Sequence, residues 1–175
     1  MARLNDLFKF SKKHKIKLAS IEDLISYRLK YEKLIRKINS KTCLFNPIGK
    51  IQIYSYKNKL ETNINFAITK GNLSTNKSIP VRVLSIAIKK KNILSNIEIK
   101  KTLELLSKYK NFLLLIINKV DKTNDSNINT LRYYGIGAQI IKDLRVKNMI
   151  LISRRRKKII GLEGFGLKIK KQIII

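Results

Sequence analysis

The chain has 175 residues, with 39 Lys or Arg against 11 Asp or Glu, a formal net charge of +28. A hydrophobic content of 44% is ordinary for a folded chain and excludes wholesale disorder despite that charge. One cysteine, Cys43, and one histidine, His14, exclude an internal disulfide, a cysteine-rich zinc site and a multi-histidine metal centre.

Residues 3–38 predict a helical leader. Leu4, Leu7, Phe8 and Phe10 make an apolar face, and Ser20 with Asp23 three positions on is a capping-box-like start. Leu24, Ile25, Tyr27, Leu29, Tyr31, Leu34 and Ile35 continue at near-helical spacing. Pro47-Ile48-Gly49 is a turn signal and a boundary. From residue 50 the period becomes two: Ile51 and Ile53, then Ile64, Phe66 and Ile68. A polar loop follows at 71–80, then Val81 and Val83 open a further strand, and the whole reads as an antiparallel meander. Helix and strand then alternate. A helix over 97–109 puts Leu103, Leu106 and Tyr109 on one face, and Phe112–Ile117 is a strand buried on both faces. A polar loop over 119–130, a helix over 138–144, a second buried strand over 149–153 and a third around Leu167 and Ile169 complete a parallel or mixed sheet. Phe112–Ile117 is also the longest apolar run, about a third of the ~18 residues of a membrane span. The start, MARLNDLF, carries Asp6 and no apolar core of a secretory signal. The expectation is a cytoplasmic chain with no membrane partner.

The charge has two readings. One is a phosphate-rich partner, nucleic acid or nucleotide. The other is compositional drift, since Lys, Ile and Asn are heavily used throughout (INKVDKTNDSNINT) and the lysines are dispersed. Nucleic-acid binding is then non-specific. Gly135-Ile136-Gly137 lacks the third glycine of a dinucleotide loop, position 140 being Ile, and reads as a turn into a helix. The basic run 154–158 follows a buried strand, where open α/β sheets place ligands, and is either a phosphate site or a solvated turn. Arg132, beside Tyr133 and Tyr134, either meets an anion or caps a helix start. Asp121 and Asp125 are a weak acid/base pair in an Asn-rich loop, His14 reads as solvated, and Cys43 as an incidental half-buried thiol.

Three stretches carry a resemblance. LRYYGIGAQIIKDLRVKNMILISRRRKKIIGLEGFGLKI, 131–169, resembles the C-terminal signature of GTP cyclohydrolase II, above all in GIGAQI and GLEGFGL. Residues 46–73 resemble the start of the same domain, and residues 1–28 resemble the last segment of 3,4-dihydroxy-2-butanone 4-phosphate synthase. That is the order found in bifunctional riboflavin biosynthesis proteins. The resemblance implies an α/β fold (α+β by stricter naming), a GTP cyclohydrolase II-like mixed sheet with flanking helices behind an N-terminal helical leader. It implies a synthase-like segment over 1–40 and a cyclohydrolase II-like domain over 41–175.

In that family a zinc-activated water opens the imidazole ring of GTP and releases formate and pyrophosphate. By resemblance Arg132 is the catalytic arginine, and Arg82, Val83, Ser85, Ser153 and Lys158 are nucleotide-binding. The departures fall where the chemistry belongs. The family's zinc-binding stretch starts here at Arg82, and its His, Glu and Cys are Leu84, Ile86 and Ala87, with no cysteine afterwards. The proton acceptor is Thr130, the Asn-Asn-Pro of the guanine turn is Arg154 to Arg156, and the Arg-Gln-Glu-Gly-Arg segment is missing after Phe112–Ile117. The expectation is no metal and no other cofactor, with GTP or another phosphate ligand held weakly. A synthase domain or a second copy is the expected partner. Enzyme status stays open between a degenerate cyclohydrolase II of the riboflavin pathway and a non-catalytic scaffold for a synthase. A basic nucleic-acid-binding protein is the alternative from another class.

Overall fold

The computed structural model describes residues 3–20, 23–24, 27, 31–59, 63–88, 92–119, 127–156, 159 and 162–175, with the backbone alone for 127–132 and 163. Seven strands form one mixed sheet in the order β1-β2-β3-β5-β4-β6-β7. They are β1 (Ile35–Phe45), β2 (Gly49–Asn58), β3 (Ile64–Lys70), β4 (Ile79–Ile86), β5 (Phe112–Asn118), β6 (Asn148–Ser153) and β7 (Lys168–Ile174). Three helices accompany them among the described residues: α1 (Leu4–His14), α2 (Ile97–Leu106) and α3 (Asn127–Asp143).

The antiparallel half is built from local turns. Asn46 and a cis Pro47 lead into Gly49, whose φ of +90° is readily adopted by glycine, and β1 folds back on β2 with Phe45 opposite Gly49. β2 pairs β3 in the same sense. The meander stops there. β3 pairs antiparallel with β5, while β4 lies parallel between β5 and β6. Parallel neighbours need a crossover, and α2 supplies it between β4 and β5. The strand at Val81 and Val83 therefore joins the parallel half, contrary to the expected meander.

Other local readings also shift. Ile35 to Ile38 are strand and not helix, because Ile35 lies opposite Asn58 and the Lys59 amide donates to the Leu34 carbonyl at 2.8 Å. Pairing with β2 overrides the near-helical spacing. α3 starts at Asn127, so the glycines at 135 and 137 lie inside a helix and not in a turn before it. A Cβ on Gly137 would stand 3.3 Å from Leu115 Cδ2, so the glycine lets the helix lie close on the sheet. The box at Ser20 is present: the Asp23 amide donates to Ser20 Oγ at 3.0 Å and the Ser20 amide to Asp23 Oδ2 at 3.2 Å. The Ser20 hydroxyl also donates to Asp23 Oδ2 at 2.6 Å, and this bond first, then the one from the Ser20 amide, holds the Asp23 carboxyl below its ordinary range.

Alternation along β5 divides the core in two. Phe112, Leu114 and Ile116 face α2 and pack with Ile99, Leu103 and Leu106. Leu113, Leu115 and Ile117 face α3 and pack with Ile136, Ile140 and Ile141. Each such side chain, fully buried, contributes roughly 1.5–3 kcal/mol of transfer free energy. α2 starts at Asn96, whose Oδ1 accepts from the Glu98 amide at 2.9 Å and the Ile99 amide at 3.3 Å. α1 buries none of its side chains.

Candidate functional site at the ends of the parallel strands

The C-terminal ends of β4, β5 and β6 border a cavity of about 280 Å³ between the sheet and α3. Its sheet wall is Val83 and Ser85 from β4, Leu115 and Ile117 from β5, and Met149, Leu151, Ile152 and Ser153 from β6. Its helix wall is Tyr133, Tyr134, Gly137, Ala138 and Ile141, and Lys119, Ile159 and Leu162 complete the described lining. Open parallel sheets leave such crevices at strand ends because the helices and loops diverge there.

Asparagines hold the strand ends in place. The Asn118 amide donates to Asn65 Oδ1 at 3.0 Å, and Asn118 Oδ1 accepts from the Ile88 amide at 2.9 Å. The Lys119 amide donates to the Ile86 carbonyl at 3.2 Å. At β6, Ser153 Oγ donates to the Arg155 carbonyl at 2.7 Å, which turns the basic run away from the strand axis.

The expected nucleotide residues divide between the two faces of the sheet. Val83, Ser85 and Ser153 line the cavity together. Arg82 does not reach it. One residue out of phase with Val83, it lies on the α2 side at 6% exposure, and its Nη1 donates to the Ile152 carbonyl at 3.1 Å. Its Nε is buried without a hydrogen-bond partner. Burial first, then the neighbouring Arg154, lowers the pKa of this guanidinium, with Glu98 opposing. Arg154 is paired on the same side, its Nη2 lying 3.4 Å from Glu98 Oε1. Exposed as it is, that pair contributes no more than ~1 kcal/mol. Arg155 and Arg156 are exposed. Arg132 has its backbone in α3 and its side chain outside the description, as has Thr130, while Lys158, Asp121 and Asp125 lie outside the described residues.

The glutamine of GIGAQI serves the fold. Gln139 Nε2 donates to the Glu32 carbonyl at 2.8 Å and its Oε1 accepts from the Leu34 amide at 2.9 Å, fixing the approach to β1. Residues that the sequence did not assign to the site are Lys119 and, beyond Val83, the apolar wall. Lys119 Nζ lies 5.5 Å from the Tyr133 ring centroid, within cation–π reach. The period-two alternation of β5 could have named Leu115 and Ile117, but not which face carries the cavity.

The resemblance places zinc beside β4, and the residues there do not fit it. Zinc takes three or four Cys, His or carboxylate donors at ~2.0–2.3 Å. Positions 84, 86 and 87 offer Leu, Ile and Ala, and the chain has neither Cys nor His after Cys43. Cys43 lies on β1, separated from β4 by β2, β3 and β5. No group of three His, Cys, Asp or Glu among the described residues could hold a metal ion. No helix among the described residues is long and apolar enough to cross a membrane.

Comparison with known proteins bears on the family and the fold. Residues 93–174 match the family model of GTP cyclohydrolase II. The chain is similar to the riboflavin biosynthesis protein RibBA of Aquifex aeolicus (strain VF5), 33% identical, covering 100% of this chain and 50% of that protein. It is similar to a 3,4-dihydroxy-2-butanone 4-phosphate synthase of Photobacterium phosphoreum, 32% identical, covering 99% of this chain and 52% of that one. The chain thus spans about half the length of the curated relatives it matches. Its fold is similar to that of RibBX, a two-domain 3,4-dihydroxy-2-butanone 4-phosphate synthase from A. baumannii, with a TM-score of 0.65 and 24% identity over 99% of this chain and 49% of that one. Residues 93–174 are therefore similar to the GTP cyclohydrolase II family, and the similarity over the whole chain is to one half of riboflavin biosynthesis proteins.

Proposed function

We propose that the chain is a non-catalytic GTP cyclohydrolase II-like domain of cytoplasmic riboflavin biosynthesis, working with a 3,4-dihydroxy-2-butanone 4-phosphate synthase. The observation that carries this reading is the donor set beside β4: Leu84, Ile86 and Ala87 offer no zinc ligand. A hydrolase that depends on metal-activated water loses its nucleophile with its metal. Thr130 at the acceptor position costs a further ~10²–10⁴-fold. The relative named for the synthase alone supports the partner. So does the leader, where Leu4, Phe8, Phe10, Ile16, Leu18 and Tyr27 are all exposed, large apolar side chains of the kind that a partner surface covers.

Phosphate attraction outlasts chemistry in this reading, because charge near the strand ends needs little geometric precision. GTP and ATP bind weakly and alike, since selectivity requires a site built to hydrogen-bond the base. Nucleic acid binds without sequence preference and weakens steeply with salt. The test is formate release from GTP with zinc supplied. None above background is expected. Release that Arg132→Ala abolishes would restore the cyclohydrolase assignment.

A further inference from the structure

We infer that the opposite end of the sheet carries a separate anion site, a basin around Thr69 that takes a short oligophosphate chain through its phosphoryl oxygens. The topology assembles it. β3 runs antiparallel to β2 and β5, so the start of β2, the end of β3 and the approach to β5 meet where the parallel strands begin, away from the cavity beside α3. Three lysines from these three segments, Lys50, Lys70 and Lys110, line an open basin of about 710 Å³, and its described lining holds no carboxylate. None of the three ammoniums is paired among the described residues. Thr69 lines the same basin at 3% exposure, and its hydroxyl makes no hydrogen bond among the described residues. A polar group withdrawn from water is costly to leave unmet, and a phosphoryl oxygen would meet this one. Gln52, opposite Thr69 on β2, accepts from the Tyr54 hydroxyl through Oε1 at 2.6 Å and keeps its amide nitrogen as a donor. At Gly71 the φ is +70° and a Cβ would overlap Asn111 Oδ1, so glycine there lets the loop close down on Asn111 at the rim.

The net charge of +28 attracts phosphate to the whole surface. Unpaired ammoniums beside a buried, unmet hydroxyl single out this basin. Lysine is a point-charge binder of phosphate, and amide and hydroxyl donors complete such a site. β2, β3 and β5 are neighbours about 4.8 Å apart, so the three lysines arise over roughly 10 Å, which suits linked phosphoryl groups better than one. The described lining has no aromatic side chain, so a base carried on the chain finds nothing to stack on.

The full chain is titrated with inorganic triphosphate, ATP and inorganic phosphate, with affinity read by calorimetry and location by NMR amide shifts. Triphosphate is expected to saturate a site that shifts the amides of Thr69, Gly71 and Asn111. ATP should bind there within ~2-fold of triphosphate, and inorganic phosphate at least ~10-fold more weakly. Lys50→Gln, Lys70→Gln and Lys110→Gln together should weaken triphosphate at least ~10-fold, whereas Lys9→Gln, Lys12→Gln and Lys13→Gln on α1, which remove the same charge, should weaken it less than ~2-fold. Thr69→Val keeps the shape and removes a hydroxyl that bonds nothing in the fold, so it should weaken triphosphate about threefold or more while thermal unfolding stays the same or rises. Overturning results are equal losses in the two triple variants, triphosphate binding unchanged by Thr69→Val, shifts at Leu115 and Ile117 in place of the basin, or ATP at least ~10-fold tighter than triphosphate, which would mean that a base is read.

Discussion

The two faces of the central strands have the same kind of sequence and different packing. On the α2 face, Ile99, Leu103 and Leu106 meet Phe112, Leu114 and Ile116 with all six side chains at 0% exposure. On the α3 face, Ile136 and Ile140 close against Leu113 and Leu115, but toward the strand ends Gly137 and Ala138 present little bulk and a cavity remains. α3 is anchored beyond its apolar contacts by polar bonds: Gln139 to residues 32 and 34, and Asp143 to Tyr56 and Lys37. One face stabilises by filling, the other by fixing a helix beside a space. A binding function belongs on the second, since a filled core has nowhere to put a ligand.

Five substitutions would break or sharpen that contrast. Leu103→Ala leaves a void among fully buried neighbours and should cost about 2–5 kcal/mol by equilibrium urea unfolding. Ile141→Ala, beside an existing cavity, should cost at least ~1 kcal/mol less, because some of its side already lacks partner atoms. Equal losses would mean the two faces are packed alike.

Tyr56→Phe should cost about 1–3 kcal/mol, the tyrosine hydroxyl donating to Asp143 Oδ2 at 2.8 Å. Burial, then Asp143, pushes the Tyr56 pKa far above its usual range. A raised folded pKa means the fold holds the proton more tightly, so this stabilisation is fully present below the unfolded value of ~10 and is lost as pH rises past it. The difference between wild type and Tyr56→Phe should therefore shrink above pH ~10. A difference that grows there would remove the hydroxyl from the anchor.

Arg82→Met tests whether that arginine belongs to the filled face. A buried cation with one hydrogen bond and an orphaned Nε should be replaceable by an apolar chain within ~1 kcal/mol, or with a gain. Triphosphate binding should not change, and a large loss of it would return Arg82 to the ligand site. The smallest effect is expected from Gly137→Ala. Helix propensity favours alanine by ~0.5–1 kcal/mol. Leu115 Cδ2, 3.3 Å from the new Cβ, has the cavity to move into. Thermal unfolding should show a small net gain, and a loss would mean that Leu115 cannot yield.

Strand positions were legible where one face is polar or a run is apolar throughout: Ile51 and Ile53, Phe112–Ile117 and 149–153 all fall in strands. The turn at Pro47 and Gly49 and the box at Ser20 and Asp23 were legible because turn and cap chemistry is local. Residues 35–38 were not, since a short apolar spacing fits either period until β2 supplies a partner. The start of α3 was missed because an Asn- and Thr-rich stretch followed by two glycines has poor helix propensity. Its packing on Leu115 outweighs that.

The sequence by itself determined the family signatures, the absence of zinc-ligand side chains from Leu84, Ile86 and Ala87 and the two-sided burial of β5, because each is a matter of residue identity or of spacing along one segment. Only the tertiary structure decided that β4 lies between β5 and β6, which is a pairing across 70 residues between Arg82 and Ile152. That placement puts Arg82 into the filled face and Val83 and Ser85 into the cavity. Alternation fixes that neighbours in a strand point opposite ways, but which side is filled and which is open depends on the bulk of the helix laid against each face, and that helix comes from elsewhere in the chain.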